Sequence, residues 1–290
     1  MAHDWKKYQV KENDKIKLED WDTSYEGELT KEEVYQKLLP ENLDKLAAYQ
    51  NVLYADNRYG LLIVLQAMDA AGKDGLIRHV FTAMDPQGTQ VTSFKQPTSL
   101  ELDHDYLWRC NLNLPRRGNV MIFNRSHYED VLVTRVHNLL EAEGSQFPQE
   151  LISKDLWENR FEEIRNWEKY LTQNGIVIVK FFLHVSKEEQ KERLLSRIDE
   201  EEKNWKFSAG DINERKYWDD YQKAYEQMIS ATSTPNAPWF IVPADRKWYT
   251  RYIVSEIVKA RFESMNIAYP QLPEKQKASL KEWREILENE

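Results

Sequence analysis

Residues 69–75 read Asp-Ala-Ala-Gly-Lys-Asp-Gly, an order of residue types suited to holding phosphate. Small residues let backbone N–H groups converge on an anion, and a helix that begins at such a loop adds the positive end of its dipole. Lys73 supplies a mobile cation for a second phosphate. Residues 61–65 are all apolar and read as a buried strand, while Leu76, Ile77, Val80 and Phe81 follow at helical spacing. Strand, loop and helix in that order predict an anion site built from Ala70, Ala71, Gly72, Lys73, Asp74 and Gly75.

The match to the usual phosphate-loop pattern is incomplete. Ala67 stands where that pattern has Gly, and Asp74 stands where it has a Ser or Thr for magnesium. Asp69 is the compensating feature. A carboxylate inside an anion-binding loop repels phosphate unless a cation lies between them, so Asp69 reads as a ligand of Mg2+, with Mn2+ as a substitute. The plainer reading is a tight strand-to-helix turn with a solvated Asp69.

The elements around this loop follow from periodicity and caps. Thr30 to Glu33 is a capping-box pattern and opens a helix to about residue 55. Residues 89–94, 119–123, 176–183 and 239–242 read as further strands, the last two continuously apolar apart from Lys180. Helices are expected over 98–112, from near Ser126, over 149–173, from Ser186 to about 201, from a cap at Asp211, over 245–262, and in a charged tail over 277–290. Strands alternating with helices imply an α/β fold: three layers, a parallel sheet with helices on both faces. The ligand then sits beyond the strand C-termini, where residues 69–73, Asn124-Arg125 and His184 fall. Residues 1–28 are polar and irregular and are expected to wrap the surface.

Composition narrows the class. The formal charge is −9, which argues against a general nucleic-acid binder and requires any polyanion to find a local basic channel. Cys110 is the single cysteine, so neither a disulfide framework nor a cysteine metal cluster is expected. No apolar run reaches membrane length and the first residues lack a signal segment, so a cytoplasmic protein with no membrane partner is expected.

A second stretch, Phe123-Asn124-Arg125-Ser126-His127-Tyr128-Glu129-Asp130, joins the loop. Together with Trp205-Lys206, with residues 218–221 and with residues 234–239, these resemble the polyphosphate kinase 2 family over roughly residues 30–265. The resemblance implies a P-loop kinase-like core with a helical lid, here about residues 190–215. It also implies a single domain, with an N-terminal extension over 1–28 and a helical tail over 268–290. The implied activity is Mg2+-dependent transfer of a phosphoryl group between inorganic polyphosphate and adenine or guanine nucleotides, and the implied assembly is a homo-oligomer. Asn124 replaces an acidic residue common in the family, and Glu129 appears five positions on. That pattern resembles the third class, which accepts both nucleoside mono- and diphosphates.

Individual residues then take candidate roles. Lys73, Asp69, Arg125, Glu129 and Arg193 are the catalytic candidates. The fork of Arg125 suits a phosphate oxygen, and the alternative is a buried pair with Glu129 or Asp130. Glu129 is either a second metal ligand or the acidic member of a capping box with Ser126. Arg193 and Arg197 lie at i and i+4, where like charges repel unless an anion covers them. The resemblance implies that they close over the transferring phosphate; otherwise they form a solvated face balanced by Glu189 and Glu201. Lys206 is a similar lid candidate, and Arg117, with Arg109 and Arg116, is a candidate for the polyphosphate path. Competing readings are an ATP-dependent nucleotide kinase and a non-catalytic nucleotide-binding module.

Overall fold

The computed structural model describes residues 4–290. Strand β1 (Gly60–Ala67) is buried at every position and lies at the centre of the sheet. β3 (Val120–Asn124) pairs with it on one side and β4 (Ile176–His184) on the other, both parallel. β2 (Thr89–Ser93) and β5 (Trp239–Pro243) complete the order β2-β3-β1-β4-β5. Every pairing is parallel, so all strands end at the same edge. The predicted α/β architecture stands, and the loop after the central strand opens at that C-terminal edge.

Helices α1 (Leu39–Asp56), α2 (Lys73–Val80) and α7 (Lys247–Ser264) pack together on one face. Helices α3 (Leu156–Gln173) and α6 (Trp218–Thr232) cover the other. Between β4 and α6 the chain forms α4 (Lys187–Asp199), a 3-10 turn (Glu201–Lys206) and α5 (Ala209–Glu214). A last helix, α8 (Glu274–Glu288), buries no residue and exposes Leu280, Trp283 and Leu287. Among the described residues no helix is long and apolar enough to cross a membrane.

Several local expectations change. The N-terminal segment does run over the surface, but Tyr8, Val10, Ile16, Leu18 and Tyr25 are buried in it. It covers the open edge of β5, where Val10 N donates to Trp239 O at 2.9 Å. An uncovered edge would offer unpaired backbone groups to other chains. The capping box at Thr98 and Glu101 forms in both directions, yet its helix stops at Leu102 and resumes only over Trp108–Asn111. The Asp105 carboxylate accepts from Leu107 N at 2.9 Å, a local bond that competes with helix propagation. The helix expected from Ser126 is a 3-10 turn (His127–Val131) followed by a short helix (Val133–Val136). α5 is capped by Ser208, whose hydroxyl accepts from Gly210 N, and not by Asp211.

Candidate active site

The loop between β1 and α2 has the backbone of an anion nest. Ala70 (φ 60°) and Gly72 (φ 111°) both take positive φ, a region open to Gly and strained for Ala. Helix α4 holds the loop in that shape from behind. Gln190 donates to Asp69 O at 2.9 Å, and Arg193 donates to Ala70 O at 3.1 Å and Ala71 O at 2.7 Å. Three consecutive carbonyls are thus turned towards α4. The first amides of α2 have no acceptor within the helix and are left for an anion. Lys73 is buried, with Nζ folded back onto Ala67 O at 3.0 Å. Burial, followed by the nearby charge of Arg125, holds its pKa below the ordinary lysine value. An arriving phosphate offers this amine a stronger partner than a neutral carbonyl.

β3 ends beside the loop. Arg125, also at positive φ (63°), places its guanidinium between two carboxylates. It lies 2.6 Å from Asp69 Oδ1 and 3.6 Å from Glu129 Oε2. Burial disfavours its charge, but Glu129 and Asp69 outweigh that and raise its pKa. The alternative pairing with Asp130 does not form; Asp130 faces Arg109 at 3.9 Å. Asn124 donates to Asp74 Oδ1 at 2.7 Å, tying the end of β3 to the first turn of α2. Glu129 is not a helix cap. Ser126 Oγ accepts from Tyr128 N, and the Glu129 carboxylate turns to Arg125 instead of back to Ser126 N.

The remaining candidates divide. Arg193 is not poised over a substrate phosphate. It is buried behind the loop, with all five N–H donors spent on Glu189, Ala70 O, Ala71 O, Ala244 O and Asp245 O. Arg197 pairs with Asp211 Oδ2 at 2.5 Å across the connection between α4 and α5. Burial, and then the charge of Asp69, raises the pKa of Asp211. Lys206 is exposed, its amine 5.0 Å from the centre of the Trp205 ring. Arg117 is at the wrong end of the sheet. It donates to Arg58 O and Asn174 O, which precede β1 and β4, so it lies by the strand N-termini. Arg109 is buried and donates to Lys95 O.

Groups not anticipated from sequence complete the site. Glu214, at the end of α5, accepts from Tyr221 Oη at 2.7 Å and lies 2.9 Å from His137 Nε2, which ties the end of α5 to α6 and to the segment after β3. Lys31, Arg246, Lys247 and Arg251 line an open groove of about 560 Å³, with Glu189 and Asp245 among its other residues. The groove reaches the start of α2, because a Cβ on Gly75 would lie 3.9 Å from Arg251 Nη2. Burial, then Arg193, lowers the pKa of Lys247. The sequence signal was the Arg246-Lys247 pair a few residues beyond β5, at the C-terminal edge.

The loop, the central-strand placement and the flanking cations define a P-loop phosphotransferase. The polyphosphate kinase 2 family model matches residues 29–270, and the chain belongs to that family. It is 48% identical over 284 residues to an ADP-polyphosphate phosphotransferase of Rhodopseudomonas palustris, covering 97% of this chain and 98% of the relative. It is 45% identical over 270 residues to an AMP/ADP-polyphosphate phosphotransferase of Meiothermus ruber, covering 92% and 96%. The crystal structure of polyphosphate kinase 2 from Arthrobacter aurescens superposes with a TM-score of 0.83 at 39% identity, covering 92% of this chain and 93% of that one.

Proposed function

We propose that this protein transfers a phosphoryl group from inorganic polyphosphate to nucleoside mono- and diphosphates, converting AMP to ADP and ADP to ATP. The observation that carries the reading is the pairing of one phosphate loop with an adjoining basic groove, on a chain whose net charge is −9. A nucleotide donor needs a place for its base beyond the loop, whereas a polyanion needs a line of cations. Relatives named for AMP/ADP and for ADP use support the acceptor class. The third-class pattern at Asn124 and Glu129 supports use of both. The reading includes a cytoplasmic location, expected from the sequence, and a homo-oligomer, as the family resemblance implies.

The roles follow from the geometry. The end of the polyphosphate binds the amides of residues 70–75, and Lys73 leaves Ala67 O for a phosphate oxygen. The chain behind it lies along Lys31, Lys247 and Arg251. The acceptor phosphate is already ionised, so positioning and charge neutralisation suffice. Arg125 exchanges Asp69 for the transferring group, and Arg197 does the same from Asp211. Among the described residues no group of three His, Cys, Asp or Glu side chains encloses a metal. Mg2+ needs only one or two protein carboxylates and fills the rest with phosphates and water. Asp69 is the first such ligand and Glu129 the second, since both are hard oxygen donors flanking one guanidinium. When bound, the ion offsets phosphate charge.

The test is incubation with polyphosphate and Mg2+, with AMP or ADP as acceptor, and separation of the nucleotides. ADP and ATP are expected to appear. Phosphorylation of AMP by ATP, with none from polyphosphate, refutes the donor assignment.

A further inference from the structure

Lys180 sits in the middle of β4, in register with Val64 of β1 and Trp239 of β5, and is completely buried. A central strand of a parallel sheet is normally apolar, so a cation there calls for a physical account. All three ammonium hydrogens are used: Nζ donates to Tyr128 Oη at 2.8 Å, Glu168 Oε2 at 2.6 Å and Thr232 O at 2.8 Å. Tyr128 Oη in turn donates to Glu168 Oε1 at 2.7 Å. Glu168 belongs to α3 and is as buried as Tyr128. The hydroxyl, the carboxylate and the amine form a closed, fully satisfied triangle under the sheet.

Tyr128 is the one member of this triangle on the turn that carries the site. It stands between Arg125 and Glu129, the two residues whose ion pair faces the loop. The other buried ring of that turn, His127, makes no hydrogen bond; its Nε2 is 3.7 Å from Glu168 Oε1. The turn has further ties, from Gln66 to Ser126 Oγ at 3.2 Å and from Arg160 to Asp130 O at 2.9 Å. Neither of these orients a side chain at the turn's centre. Arg125 meanwhile pays for a left-handed backbone that no glycine relieves, and such a residue keeps its conformation only where its surroundings over-determine it. A buried ion pair is a weak source of stability, because apolar residues of equal volume serve as well. It is a strong source of fixed geometry, because each partner tolerates few alternatives.

We propose that Tyr128, Glu168 and Lys180 are positioning residues, a buried polar anchor that fixes the Arg125–Glu129 turn at the height where Arg125 meets the transferring phosphoryl group. The proposal rests on the phosphotransfer reading for its kinetic consequence but not for its structural one.

Two measurements on Tyr128→Phe test it. This variant keeps the ring and the Lys180–Glu168 pair and removes one hydroxyl. With polyphosphate and nucleotide saturating, kcat is expected to fall at least tenfold while both KM values stay within twofold. Amide exchange at Glu129 and Leu132, whose N–H groups close the turn on Ser126 O and Glu129 O, is expected to quicken at least tenfold, with the β1 amides unchanged. A kcat within twofold of the parent and unchanged exchange at the turn overturn the proposal. Should Tyr128→Phe fail to fold, Lys180→Met combined with Glu168→Leu replaces the pair by apolar side chains. That variant is expected to fold and to show the same loss of kcat and the same local exchange, and normal kcat in it overturns the proposal. An inactive parent refutes the phosphotransfer reading alone, since the exchange experiment still decides whether the turn is anchored.

Discussion

Replacing Arg193 separates two views of the lid. On the sequence pattern, Arg193 touches the transferring phosphate. Its loss then removes a transition-state contact worth about 10²–10³ in rate and leaves the fold alone. In the structure it is a clamp. Its five donors hold two loop carbonyls, two carbonyls after β5 and Glu189, and its side chain is only 8% exposed. Arg193→Met keeps the aliphatic stem and strands those carbonyls. Removing one partner of a buried charged network costs about 3–5 kcal/mol. At ~2.1 cal/mol/K per residue, a chain of 290 residues has an unfolding entropy near 0.6 kcal/mol/K, so Tm is expected to fall by about 5–8 °C.

Kinetics sharpen the distinction. A loop released from α4 no longer turns its carbonyls away from the anion, so KM for polyphosphate is expected to rise together with the fall in kcat. Scanning calorimetry and steady-state assays on the same preparation, at least 15 °C below the variant's Tm, give both numbers. An unchanged Tm with kcat down a hundredfold and KM unaltered refutes the clamp and restores the direct contact.

Three further outcomes follow from the site. Lys73→Ala is expected to lower kcat about 10²–10³-fold with little change in Tm, because among the described residues the amine is bonded to Ala67 O alone; retention of a tenth of parental activity counts against the loop. Asp69→Asn is expected to raise the Mg2+ concentration required for half-maximal rate, and an identical Mg2+ titration removes Asp69 from the metal shell. Asp130 is pushed up to about 6 by burial, above the ~3.9 of an unfolded carboxyl, so the folded state binds more protons and stability falls as pH rises through that window. Asp130→Asn removes that loss, worth at most roughly 3 kcal/mol by pH 7, so its Tm relative to the parent is expected to improve by up to about 5 °C between pH 4 and 7, and a constant difference refutes the assignment.

The four strands β1, β3, β4 and β5 were legible because a parallel sheet covered on both faces writes continuous apolar runs, whereas the edge strand β2 is mostly polar and partly exposed. The loop was legible because Gly-Lys at a strand-to-helix junction has few other uses. Arg117 was misread although the signal existed. It precedes β3, and in an all-parallel sheet a residue before a strand lies at the end away from the ligand. Arg193 was illegible for a different reason. The i, i+4 spacing says that Arg193 and Arg197 share a helix face, but not whether that face meets solvent, substrate or the protein's own backbone. The His137–Glu214–Tyr221 contact joins positions 77 residues apart on elements of no special pattern, and only the fold brings them together.

These placements change how the lid is expected to work. At its root, Gln190 and Arg193 are bonded to the phosphate loop; at its far end, Glu214 is bonded to His137 and Tyr221. Between them, Asn204 donates to the carbonyls of Arg197 and Ile198, so the 3-10 turn is fastened to α4 as well. A segment held at both roots does not swing as a rigid flap without breaking several of these bonds. What it can do at little cost is exchange partners. Arg125 on Asp69 and Arg197 on Asp211 are part-exposed ion pairs at the site. A phosphoryl group offers each guanidinium more negative charge than the carboxylate it leaves. On the proposed function, substrate binding is expected to recruit cations through these two side-chain exchanges while the connection from α4 to α5 stays bonded at both ends, leaving Asp69 free for a divalent cation that arrives with the phosphate.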